Sequence, residues 1–78
     1  MKITALISQL KKTNVSGFQI SKKNGLLTST WLLYKRGDFY YFFDINQKIE
    51  FNERYKYSES ELINEMRDGA FRIDVLVN

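Results

Sequence analysis

Hydrophobic positions along this chain change their period three times, and each change marks a new kind of element. Ile3, Leu6, Ile7 and Leu10 recur at i, i+3, i+4 and i+7, which places them on one stripe of a short helix. Lys11 and Lys12 follow in its last turn, where the helix dipole favours positive charge, so the helix is expected to end near Thr13 or Asn14. From Val15 the period falls to two, with Phe18 and Ile20 on one face of a first strand. Lys23-Asn24-Gly25 predicts a tight hairpin there, because Asn and Gly both tolerate positive φ. A second strand is expected over residues 26–34, where Thr28, Thr30 and Trp31 suit a pleated surface. Lys35-Arg36-Gly37-Asp38 reads as the next turn and residues 39–45 as a third strand.

Asn46-Gln47 makes another reversal, and residues 48–57 then alternate: Ile49, Phe51, Tyr55 and Tyr57 share one parity, while Lys48, Glu50, Asn52, Arg54 and Lys56 take the other. This predicts a fourth strand with one buried face, broken at Asn52-Glu53. Ser58 with Glu61 three residues later is a capping-box pattern, and Leu62, Ile63 and Met66 give the stripe of a second short helix. Gly69 marks its stop, and Phe71, Ile73, Val75 and Val77 alternate as a last strand. The expected fold is one small α+β domain over residues 1–78, in the order α-β-β-β-β-α-β. Its antiparallel sheet would have four or five strands, with two short helices packed mainly on one face.

The two central strands are apolar on both faces. Phe39, Tyr41 and Phe43 share one side, and Tyr40, Phe42 and Asp44 the other. Two short helices cannot easily bury both, so either one face stays partly uncovered, where rings would mark an interaction surface, or the sheet twists and the helices split between its faces and leave nothing exposed. The candidate contact residues are Trp31, Tyr34, Tyr40 and Tyr41, with Lys35 and Arg36 at their margin. Parity separates Trp31 from Tyr34 and Tyr40 from Tyr41, so the four rings cannot all lie on one face.

Composition narrows the chemistry. With 78 residues the chain lies below the usual domain size of roughly 100–150 residues, and it has no Cys, His or Pro. Disulfides, thiolate metal sites and an imidazole base are therefore excluded. A nucleophile would need Ser or Thr activated by Lys, or two converging carboxylates. Asp44, Glu50 and Glu53 are near one another in sequence but flank a turn and a predicted break, and no Gly-rich loop cradles phosphate. The expectation is a non-enzymatic chain with no cofactor and no metal. The N-terminal stretch lacks the pattern of a secretory signal, and no apolar run approaches the ~18 residues of a membrane span. A cytoplasmic chain with no membrane partner is expected.

Charge is unevenly spread: the first 36 residues carry seven bases and no acid, and the rest carry nine acids and five bases, for a net +3. Such asymmetry points either to a nucleic-acid or acidic-partner face on the basic half or to mutual attraction of the halves within one fold. Residue usage leaning to Phe, Tyr, Ile, Asn and Lys is typical of AT-rich coding, which suggests a low-GC bacterium or its phages or plasmids.

Two partial likenesses bear on nucleic-acid binding. Residues 36–43 resemble the RNA-recognition-motif signature, but Asp38 stands where an aromatic belongs, Phe39 where a small residue belongs, and the element order differs. The αβββα run is similar to a double-stranded-RNA-binding domain, yet the second helix opens with Ser58-Glu59-Ser60-Glu61 in place of lysines. Neither likeness holds. Lys22-Lys23 and Lys35-Arg36 lie at opposite ends of one strand, about 30 Å apart at ~3.3 Å per residue, so they form no compact basic patch. Arg36-Gly37-Asp38 matches an integrin-binding tripeptide but reads as turn chemistry. Glu59, Glu61, Glu65 and Asp68 make the second helix acidic, diluted by Arg67 and Arg72. The expected function is a small protein-interaction module, a phage- or plasmid-encoded accessory or inhibitor protein that binds a host protein. Single-stranded nucleic-acid binding through the same rings is the alternative, and a homodimer the third outcome.

Overall fold

The period-two segments pair into one antiparallel sheet, and the two helical stripes pack on the same side of it. In the structure, a computed structural model describing residues 1–47 and 51–78, α1 (Ile3–Lys12) leads into β1 (Gly17–Asn24), β2 (Leu27–Arg36) and β3 (Phe39–Asp44). A single 3₁₀ turn (Glu53–Tyr55) precedes β4 (Lys56–Ser58), α2 (Glu59–Met66) and β5 (Arg72–Val77). The strand order is β4-β3-β2-β1-β5. The meander β1 to β4 is closed by α2, which carries the chain across to pair β5 with β1. The order expected from the sequence is the observed one.

Register departs from expectation at the first hairpin. Asn24 stays in the strand opposite Leu27, so the turn residues are Gly25 and Leu26. Gly25 has φ 63 and Gly37, at the same place in the β2–β3 turn, φ 59. A glycine as first central residue is what a type II′ turn requires. Apolar pairing decides the register: Phe18 lies opposite Leu33 and Ile20 opposite Trp31. A turn centred on Asn24-Gly25 would instead set Ile20 against Ser29 and lose that cross-strand contact.

The fourth strand is also shorter than its alternation suggests. Asn52 Oδ1 accepts from the Arg54 N–H at 3.1 Å, and that local bond turns the chain into the 3₁₀ turn instead of extending it. Lys48, Ile49 and Glu50, which the pattern assigned to this strand, lie outside the described residues.

Each face of the sheet has its own apolar layer. On the helix side, Ile3, Leu6, Ile7 and Leu10 of α1 and Leu62 of α2 pack with Phe18, Ile20, Leu33, Tyr40, Phe42 and Phe71. On the other side Leu32, Tyr34, Tyr41 and Phe43 pack with Tyr55 and Val77. Phe51 then folds back over this second layer, its ring edge-on to Tyr34 at 5.6 Å and to Tyr41 at 5.0 Å. The face expected to lie partly open is thus covered by Phe51 and Tyr55, and not by a helix. That cover was invisible to a count of helices.

The capping box of α2 forms in both halves: Ser58 Oγ accepts from the Glu61 N–H at 3.3 Å, and Glu61 Oε1 accepts from the Ser58 N–H at 2.9 Å. Ser58→Ala is expected to cost about 1 kcal/mol, read as a lower midpoint of urea denaturation. The sheet edges are blunted as well. β4 has only three residues and opens with Lys56. β5 carries an extra residue, Asp74, between the pairs Ile20–Ile73 and Gln19–Val75, and the Arg72 Nε bonds it at 2.8 Å. Short edges, charges and bulges all hinder edge-to-edge pairing.

Candidate interaction site

The six residues singled out from the sequence do not form one surface. Tyr40 is 1% exposed, and Tyr34 and Tyr41 are 8% exposed, so these three rings belong to the two packed layers. Arg36 is exposed and stacks on Phe51, its guanidinium carbon 3.9 Å from the ring centre. Lys35 is half-buried and donates to the Gly37 carbonyl at 2.7 Å. Trp31 alone among the four rings is half-open.

Tyr40 is held by a polar network. Its hydroxyl donates to Glu59 Oε1 at 3.4 Å, and the same carboxylate is ion-paired with Lys11. The bond from Lys11 holds the Glu59 carboxyl below the usual range, and that bond raises the Lys11 ammonium. Burial first, and then the Glu59 charge, push the Tyr40 phenol up. This ties the last turn of α1 to the first turn of α2. Part of the charge asymmetry between the halves is therefore an intramolecular match.

Trp31 lies at the last β2–β3 pair, opposite Asp44, on the helix side of the sheet. Its ring is tilted on Phe42 at 5.9 Å and edge-on to Phe71 at 5.6 Å. α2 ends at Met66, and the chain then turns through Gly69, whose N–H donates to the Met66 carbonyl at 3.0 Å. The result is an open cleft of about 230 Å³ lined by Trp31, Phe42, Phe71 and Met66, with Glu65 and Asp68 on the α2 side and Lys22 on the β1 side.

Beside this cleft the β1–β2 ribbon runs on past its neighbours. β3 pairs with β2 only as far as Trp31, and β5 with β1 only as far as Ser21. Residues 22–29 therefore form a two-stranded arm with no strand on either side among the described residues. Its tip is apolar: Leu26 is fully exposed and Leu27 is 74% exposed. Lys22 and Lys23 are its only charges.

Comparison with known protein families, with curated proteins and with solved structures finds no match. The site must be read from its own geometry. The sequence pattern puts Leu26 at the start of a strand and gives Leu27 no special role, although two leucines directly after a turn glycine break the usual polarity of turns. That break was the available signal. Glu65, Asp68 and Lys22 were seen only as members of charge runs.

A second opening lies at the far end of the sheet. Ser16, Tyr34, Lys35, Arg36, Gly37, Phe51 and Asn78 line a cleft of about 430 Å³ with no acidic side chain among them. No group of three or more His, Cys, Asp or Glu is placed to hold a metal among the described residues. No described helix is long and apolar enough to cross a membrane.

Proposed function

We propose that this chain is a non-catalytic protein-interaction module that grips a partner protein between the β1–β2 arm and the Trp31 cleft. One observation carries the reading: a half-open tryptophan floors a cleft directly beside an arm that ends in two exposed leucines. Tryptophan is enriched among residues that dominate interface energies, and adjacent exposed apolar side chains mark contact surfaces. Burying Leu26 and Leu27 against a partner would contribute roughly 1.5–3 kcal/mol each, which does not cover the cost of association on its own. The arm therefore needs the cleft as a second anchor. The small size, the lack of His and Cys, and the AT-leaning residue usage support the narrower reading of an accessory or inhibitor protein from a phage or plasmid of a low-GC bacterium, acting in the cytoplasm on a host protein.

A photocrosslinking residue at position 26, introduced in cells of such a host, is expected to give one discrete protein adduct that is lost with Trp31→Ala. Adducts to nucleic acid, or a protein adduct indifferent to Trp31, would count against the reading. The double change Leu26→Ser with Leu27→Ser is expected to abolish the adduct from a crosslinker at position 23 while leaving unfolding free energy within about 0.5 kcal/mol, since neither leucine is buried.

Single-stranded nucleic-acid binding keeps one observation in its favour, the cleft around Lys35 and Arg36 that no acidic side chain lines. Against it, Tyr34 is buried and Arg36 already occupies a face of Phe51, so base stacking would have to displace packed groups. Phosphate binding must weaken steeply with added salt, whereas a largely apolar protein contact does not.

A further inference from the structure

The Trp31 cleft has a chemical character that narrows its occupant. Its floor is aromatic, from Trp31, Phe42 and Phe71, and its α2-side wall carries two carboxylates, Glu65 and Asp68. Lys22 on the opposite wall offsets one of them, leaving an excess of one negative charge. None of these three charged side chains forms an ion pair with another residue among the described residues. At about 230 Å³ the cleft is smaller than the roughly 300–1,000 Å³ typical of small-molecule pockets, and has room for one long side chain.

We propose that this cleft receives an arginine side chain of the partner protein, an inference that rests on the reading of this surface as a protein-binding site. A guanidinium can lie on the indole, the strongest cation–π acceptor among the side chains, while its N–H fork meets the carboxylates on the wall. Lysine offers the charge without the flat face, and a purely apolar side chain leaves the carboxylates unanswered. Phosphate-bearing ligands would meet repulsion from Glu65 and Asp68. The excess of acid in the cleft beside the basic arm also gives the surface a polarity, so that the arginine is directed to the cleft and not to the arm.

The single tryptophan gives one indole N–H resonance in a nitrogen-correlated NMR spectrum, and that resonance is the reporter. Titration with the capped tripeptide Gly-Arg-Gly is expected to shift it saturably with a millimolar Kd. The citrulline tripeptide, which has the same shape without the charge, and the lysine tripeptide should bind more weakly. The double variant E65Q/D68N, with both changes at the surface, should keep the dispersed spectrum of the folded chain and lower the arginine affinity about fivefold, as two exposed charge contacts allow. Equal affinity for the citrulline peptide, an arginine shift unchanged in E65Q/D68N, or no indole shift at all would each overturn the arginine assignment. These outcomes leave the crosslink from position 26 unaffected, so that adduct tests the wider reading of a protein-binding surface separately from the arginine assignment.

Discussion

Phe18→Ala is expected to remove about 3–5 kcal/mol of stability, the usual cost of deleting a buried aromatic side chain and leaving a cavity. Phe18 is completely buried, on β1 between β2 and β5, beneath the helices. A chain of 78 residues has a total stability of only about 4–12 kcal/mol, so the variant should lie close to unfolding at room temperature. Urea denaturation followed by circular dichroism measures this directly. A midpoint close to that of the unaltered protein would mean that the helix-side layer is not the main core.

Gly17→Ala is the second change with a large expected effect, and its cause is steric. A Cβ at this position would lie 2.3 Å from the Leu33 carbonyl oxygen and 2.7 Å from Tyr34 Cδ1. The first of these is backbone of the central strand and cannot move without parting β1 from β2. Gly17 pairs with Tyr34 on one side and with Val77 on the other, so the strain would spread to both ladders. A loss of about 1–3 kcal/mol is expected, as for other overpacked sites. Hydrogen exchange should show the loss as faster exchange at the Tyr34 and Val77 ends of their strands. Faster exchange confined to the arm would contradict the packing described.

What could be read from sequence divides by the range of the interaction involved. The α1 stripe, the Ser58–Glu61 capping box and the parity of Phe39 to Asp44 depend on neighbours within a few residues, and the structure has all of them. The first hairpin turn was placed one residue early because Asn-Gly is a strong local signal. Contacts between Ile20 and Trp31, 11 residues away, outweighed it. The bulge at Asp74 left no trace in the alternation of Ile73, Val75 and Val77. Nor could parity show that Phe51 would leave the predicted strand and close the second face over Tyr34 and Tyr41.

The candidate site divides in the same way. Parity separated Trp31 from Tyr34 and Tyr40 from Tyr41, and the structure then places Tyr34 with Tyr41 on one face and Trp31 with Tyr40 on the other. It could not say which ring would be left open, because exposure depends on where α2 stops. α2 ends at Met66, which leaves Trp31 half-open, while Tyr40 lies near the start of α2 against Glu59 and is shut in. The arm, too, exists only because β3 and β5 pair with less of the hairpin than β1 and β2 pair with each other.

The proposed site depends on the state of one ring, and fluorescence of the single tryptophan reads it. The emission of Trp31 should be intermediate between buried and free indole, partly open to acrylamide, and unchanged by single-stranded DNA or RNA at low salt. A blue emission closed to acrylamide would place Trp31 in the core and remove the cleft. Quenching by oligonucleotide that disappears as salt is added would make the rings a nucleic-acid surface and contradict the protein-binding site proposed for Trp31 and the arm.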